Sequence, residues 1–587
     1  MMKTGRKILT AAASLACLAG VQAAASPVAA SGAELLVNDA DALGAIGDDR
    51  LSLSEAIALA NGSLSVGTLS AGERRQVKGT PGSASADTIR FRVAGGTIRF
   101  PLQVQKKPDM DFAIMATTSK LPTLSGNDGD RIVGGGIRFA NGPDDAADTV
   151  NAVPLFKGAP LGGTGLVIES SNFSLSGVTF DRFIQPLIFR PAAGSAGLVN
   201  VTLKGNRFLN SGGVNFSAMA GGERSALRNI LVEKNEFLGS SLYGETYPSK
   251  LHNAIAVTGA SGGAPTDGQA PTVVIDDIRI IGNKVREYAG GVQIQPLQML
   301  FGKNRGAELS RLVISRNDIS LGADAGDPAV YLWGAVAVNG EVSDVRVDDV
   351  LVEKNRIVGN GHVLFLSGVE ALLGGTVPAT NIHFSNIRIN ANRILPRTNC
   401  SFGITAIAAF PEMNGPAAIG NSLSDVSITG NIVDRCAIGI FASPLLNVGA
   451  PGTSTGNRID GLKLRANRVS GARNGIIVAG GAVIADEVKG EIGVAKNAVR
   501  GLEIMDNILT ADETPVLVAG AYARGKVAAS LTGNSVDVVR VSGNRTGRAA
   551  ATCRIEGDFA EETSIRPDGN HVTGGTEGCS ASVVSRR

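Results

Sequence analysis

The chain has 587 residues, of which 76 are glycine and 43% hydrophobic, with 55 Lys plus Arg against 53 Asp plus Glu. That much apolar residue excludes global disorder, and the even charge balance lacks the basic face of a nucleic-acid binder. One compact core stops growing at roughly 250–300 residues, so a glycine-rich chain of this length reads as an elongated repeat rather than one globule.

Lys3, Arg6 and Lys7 precede an apolar stretch from Ile8 to Val21, and Ala23-Ala24-Ala25 supplies small residues for cleavage. This is the layout of a secretory signal peptide over residues 1–25. Cys17 would permit a lipoprotein instead, although Ser14 is a poor residue three positions before it. A membrane-spanning helix needs about 18 apolar residues or more, and no segment supplies them. A secreted chain, periplasmic or extracellular, is expected.

Residues 33–150 read as an N-terminal cap with the first coils, 151–550 as the repeats, and 551–587 as a C-terminal cap. Within the repeats one pattern recurs: apolar, any, apolar, two residues, Asn, any, apolar. It centres on Asn206, Asn235, Asn283, Asn317, Asn355, Asn392, Asn431, Asn467, Asn507 and Asn544. Such self-similarity is the mark of a solenoid. The local period is two, as in Val426-Ser-Ile and Leu462-Lys-Leu, so each unit carries strands rather than helices. A second strand follows each Asn, commonly opened by glycine as at Gly291, Gly403, Gly439 and Gly475. Two short strands per unit make an all-β, right-handed parallel β-helix of about a dozen coils, stacked at about 4.8 Å. The amide both donates and accepts, which suits a turn buried between coils. Six residues earlier lies a column of Asn200, Asn229, Asp277, Asp349, Asn386 and Asp425, read as turn residues rather than catalytic carboxylates.

Register also places the cysteines. Cys400 and Cys436 each stand three residues before the second-strand glycine of consecutive units, so stacking predicts a Cys400–Cys436 disulfide. Cys553–Cys579 follows by elimination and would close the C-terminal end.

On these residues the chain resembles the right-handed parallel β-helix, or pectin-lyase-like, superfamily over about residues 160–550. Leu51-Ser-Leu-Ser-Glu55-Ala-Ile-Ala-Leu-Ala-Asn61 followed by Asp87-Thr-Ile-Arg-Phe91 is similar to an N-terminal "SLREAI…AN, DTI.F" segment of bacterial exported β-helix proteins, with Ser54 in place of Arg. That resemblance implies a short amphipathic helix capping the first coil. It also directs attention to the outward face of one stacked sheet, where enzymes of the superfamily work. Their Asn-Thr-Asp-Gly, Gly-His-Gly, Trp-Ile-Asp-His and Arg-x-Pro-x-x-Arg motifs are absent here, Gly361-His362-Val363 being only a fragment, so no catalytic residue carries over.

Alternation predicts outward columns of Ile188, Asn215, Ala256, Gln293, Tyr331, Leu364 and of Arg190, Ser217, Thr258, Gln295, Trp333, Leu366. Asn215, Gln293, Gln295, Tyr331 and the sole tryptophan, Trp333, thus form a candidate substrate-binding face. Aromatic rings stack on sugars and amides satisfy hydroxyls in both directions. Glu245, His252, Arg190 and Asp327 are the candidate catalytic groups, His252 and Glu245 lying in the polar insertion 243–253. No cofactor is expected, except that Asp324 and Asp327 are oxygen ligands suited to Ca²⁺. The reading is a monomer that binds or processes a polysaccharide or cell-surface glycan, as a lyase or hydrolase if it is an enzyme. The alternative is a non-catalytic adhesion-type solenoid.

Overall fold

A computed structural model describes residues 32–103, 121–125, 129–144, 163–220, 223–239, 253–260, 272–299, 302–323, 325, 327–338, 340–372, 378–412, 415–485, 491–526, 528–547, 553–561 and 564–574. The signal-peptide region, Glu245, His252, Asp324 and Cys579 lie outside them. Two long parallel sheets run the length of the molecule, and a two-residue hairpin pair, Met219–Ala220 with Glu223–Arg224, stands apart. Among the described residues no helix is long and apolar enough to cross a membrane.

The stacking follows from the period-two pattern. In the first sheet Leu203, Val232, Ile280, Ile314, Val352, Ile389 and Ile428 occupy one register column, and all are buried in the lumen. Each such side chain is worth roughly 1.5–3 kcal/mol on burial, which makes the lumen the main stabilising term.

The asparagines form a continuous ladder. Each Oδ1 accepts from both the backbone N–H and the Nδ2 of the preceding Asn: Asn317 Nδ2 reaches Asn355 Oδ1 at 3.0 Å, and Asn355 Nδ2 reaches Asn392 Oδ1 at 2.9 Å. The remaining Nδ2 hydrogen goes to a strand carbonyl, as in Asn355 to Ile314 at 2.9 Å. Ten turns between Asn206 and Asn544 are joined this way. A second ladder runs through Asn421, Asn457, Asn497, Asn534 and Asn570 on the first sheet, ten residues ahead of the first ladder in each of its four last turns.

The acidic and amide column six residues before the ladder is a bend within the strand. Asn200, Asn229, Asp277, Asp349, Asn386 and Asp425 all have φ between +52° and +58°, a left-handed conformation that Asn and Asp tolerate best. Arg311 shares the column at +54°. Asp276 pairs with Arg311 and Ser310 on the surface, and the charges of Asp277 and Asp349 act on the same guanidinium, so these carboxylates are held by a surface arginine.

At the N-terminal end, Leu53–Ala60 forms a helix closed by a Ser52/Glu55 capping box. Its Leu53, Ala56, Ile57 and Leu59 are buried with the lumen core, and it packs on strand Glu34–Val37, the first of the parallel stack. Cys400 and Cys436 are bonded, with Cα atoms 4.5 Å apart. Cys553 is also disulfide-bonded.

The second sheet folds sharply at one column. Gly259, Pro296, Gly334, Gly368, Ala408, Pro444, Gly480, Gly520 and Gly557 are successive register partners there. The sheet is pressed against its neighbour at this line: a Cβ on Gly334 would lie 2.5 Å from Phe384 Cε1, and one on Gly520 2.6 Å from the His571 nitrogen. The column holds only glycine, alanine and proline, and the outer surface becomes a concave corner.

Candidate functional site

The two arms of this corner face each other across a second apolar cluster outside the lumen: Tyr331, Phe365, Phe402, Ile407, Phe410, Phe441, Leu446, Ile477 and Tyr522 among others. Rings from opposite arms touch. Phe365 and Phe410 have centroids 5.2 Å apart, and Phe441 and Tyr522 6.3 Å. The corner is therefore a self-packed aromatic seam along most of its length.

Leu364 and Leu366 are not in that seam. They are buried in the lumen, and Phe365 and Ser367 hold the outward positions beside Tyr331 and Trp333. The strand carries register shifts on both sides of Gly361, whose φ is +57°. Val363 and Leu364 are consecutive and both buried in the lumen, as Ala329 and Val330 are in the coil before, so Leu364 rather than Val363 is the register partner of Val330 and the outward positions fall one residue later than alternation from Val363 predicts.

The polar candidates gather where the seam begins. Gln293 is the register partner of Tyr331, and Tyr331 and Trp333 lie on one strand, Val330–Val338, with ring centroids 4.5 Å apart. Asn253 Nδ2 donates to Gln293 Oε1 at 2.7 Å, and Gln293 Nε2 donates to Gln295 Oε1 at 2.7 Å. This amide chain leaves Asn253 Oδ1 and Gln295 Nε2 buried and without a hydrogen-bond partner, as is Trp333 Nε1. Trp333 and Gln293 are half-buried, whereas Tyr331 and Gln295 are each only 2% exposed. The outward position of Trp333 is thus partly covered, with the indole packed against the aromatic cluster of the corner.

Asp327 adjoins this group: a Cβ on Gly290 would lie 2.0 Å from Asn253 Oδ1 and 3.4 Å from Asp327 Cβ. Burial, reinforced by the charges of Asp327 and Glu370, pushes the Tyr331 phenol well up, and the Asn253 side chain opposes them. Glu370 is 7% exposed and follows Ser367 by three residues across the fold line. A lone carboxylate within Leu364-Phe-Leu-Ser-Gly-Val-Glu370-Ala-Leu-Leu is the signal that could have found it.

Asn215 shares the Gln293 column but lies two rungs away, and accepts from Thr258 Oγ1 at 3.4 Å. Arg190 is farther still. It follows the end of strand Gln185–Phe189, four rungs from Trp333, or about 19 Å at the usual spacing, and pairs with Glu169 at 2.8 Å. The structure brings Asp327 to the Trp333 face and leaves Arg190 remote. His362 is stacked on Phe402 at 4.4 Å, and burial pulls its imidazole down to about 4.

No protein-family model matches this chain, and neither a curated protein nor a solved structure matches it.

Proposed function

We propose that the protein is exported and holds a polysaccharide or cell-surface glycan at the Gln293/Gln295/Tyr331/Trp333 group. The observation that carries this reading is the set of three buried polar atoms without partners beside a half-buried indole. Leaving such atoms unmet costs roughly 1–3 kcal/mol each, and the hydroxyls of a sugar would offset that cost. The amides supply both a donor and an acceptor, and the ring supplies a stacking surface. The Cys400–Cys436 disulfide is compatible with an oxidising compartment.

Retention and non-catalytic presentation is favoured over polymer cleavage by the seam, whose rings pack across the corner and leave little open cleft. The test is retention of the purified chain on a panel of immobilised neutral and acidic polysaccharides, with new reducing and unsaturated ends measured in parallel. Retention lost in Trp333→Ala, without new chain ends, supports a glycan-holding solenoid. New chain ends would make it an enzyme. Equal retention by wild type and Trp333→Ala overturns this site.

A further inference from the structure

We propose that the subsite at Gln295 and Trp333 takes an uncharged or amino sugar and rejects a uronate, an inference that rests on the glycan reading above. Three observations carry it. First, the register fixes what lies on the outward columns along the corner. One column runs Arg190, Ser217, Thr258, Gln295, Trp333, Ser367, Ile407, Ser443, Ala479, Ala519 and Glu556, and its neighbour runs from Ile188 through Gln293, Tyr331, Phe365, Thr405, Phe441, Ile477 and Leu517 to Arg554. Between the two ends neither column contains a lysine or arginine. The single register column of the facing arm that runs from Gln298 through Val336, Glu370, Phe410, Leu446 and Ala482 to Tyr522 contains none either, and Arg524 and Arg473 stand only beside Tyr522, at the end of the column far from Trp333.

Second, among the described residues the charges that act on Tyr331 are negative. Glu370 is 7% exposed on the facing arm, and Asp327 flanks Asn253 at the other side. A polyuronate carries a carboxylate on every residue, and recognising it calls for Arg or Lys. At this corner it would meet like charge in a partly desolvated site.

Third, the polar capacity left over suits hydroxyl and ammonium groups. Gln295 is 2% exposed with its Nε2 hydrogens unspent, and Trp333 Nε1 is likewise a donor without an acceptor. Both can donate to sugar hydroxyl oxygens. Asn253 Oδ1 can accept from a hydroxyl or an ammonium, and the two carboxylates favour the ammonium.

Trp333 is the only tryptophan in the chain, so its emission reports on this subsite alone. Oligomers of glucosamine, N-acetylglucosamine and galacturonate, equal in length, are titrated into the purified chain while that emission is followed. The two non-anionic series should shift it, with galacturonate at least tenfold weaker. Glu370→Gln should weaken glucosamine binding severalfold and leave N-acetylglucosamine binding within about twofold. Because that variant replaces a buried group, the salt dependence of the wild type serves as a second readout: added NaCl should weaken only glucosamine. Galacturonate binding as tightly as the other two, with Trp333 responding, overturns the charge preference and leaves the glycan reading standing. No response to any of the three series removes the glycan reading, and this inference with it.

Discussion

Truncating one rung in the middle of the first ladder is the sharpest test of what holds the coils in register. Asn355 is 1% exposed and makes four hydrogen bonds through its amide. In Asn355→Ala the Asn317 backbone N–H, one Asn317 Nδ2 hydrogen and the Ile314 carbonyl lose their partners, while Asn392 Oδ1 keeps the Asn355 N–H at 3.0 Å. Three buried orphans at roughly 1–3 kcal/mol each, with some relaxation, amount to about 3–6 kcal/mol. Asn544→Ala is the control, because that residue ends its ladder and is half-buried, so water can replace part of what is lost. Solenoids unfold turn by turn rather than all at once, so a single melting temperature would blur the effect. Amide hydrogen exchange resolves it. In Asn355→Ala the turns at 317, 355 and 392 should exchange at least a hundredfold faster, each tenfold being about 1.4 kcal/mol. Equal and small accelerations in Asn355→Ala and Asn544→Ala would refute the ladder as a principal restraint.

Replacing Cys400 and Cys436 together by alanine opens a link across 36 residues. Chain-entropy arithmetic gives about 3–4 kcal/mol, which should appear as a lower urea midpoint and as early proteolysis between the two positions. His362 sets a pH dependence. Its folded pKa of about 4 lies below the ordinary histidine value, so its contribution is full above about pH 6.5, is lost progressively as pH falls toward 4, and is constant below that. The ceiling is about 3 kcal/mol. Wild type should lose more stability than His362→Phe between pH 7.5 and 4.5 in urea titrations; parallel losses would show that the imidazole takes no part.

The ladder was legible because each turn needs one amide at one place, so ten asparagines repeat against a period-two background. The second ladder was equally present, at Asn421, Asn457, Asn497, Asn534 and Asn570, but its flanking apolar pattern is looser and masks the repeat. The fold line was hidden for another reason. Glycine, proline and alanine ordinarily mark unrelated turns, and only the pairings reveal that they serve one steric demand. Around the site, register placed Gln293 beside Tyr331, since both follow inward valines. Burial of Tyr331 and Gln295 accompanies groups far away in sequence, Asn253, Asp327 and Glu370 among them, which no local pattern encodes. Val363 misplaced the alternation in its coil, because it fills the inward place that Ala329 and Gly403 hold in the neighbouring coils and so reads as the start of the strand in place of Leu364.

The asparagine columns also have a direction. Every amide oxygen points back toward the turn made before it, so a finished turn waits with its N–H groups for the oxygen of the next. A chain emerging amino-end first thus completes each layer by adding its successor. In the second column the Asn570 side-chain amide donates to Asp558 at 2.8 Å, a carboxylate oxygen from the same turn standing where the oxygen of a following asparagine stands in the turns before.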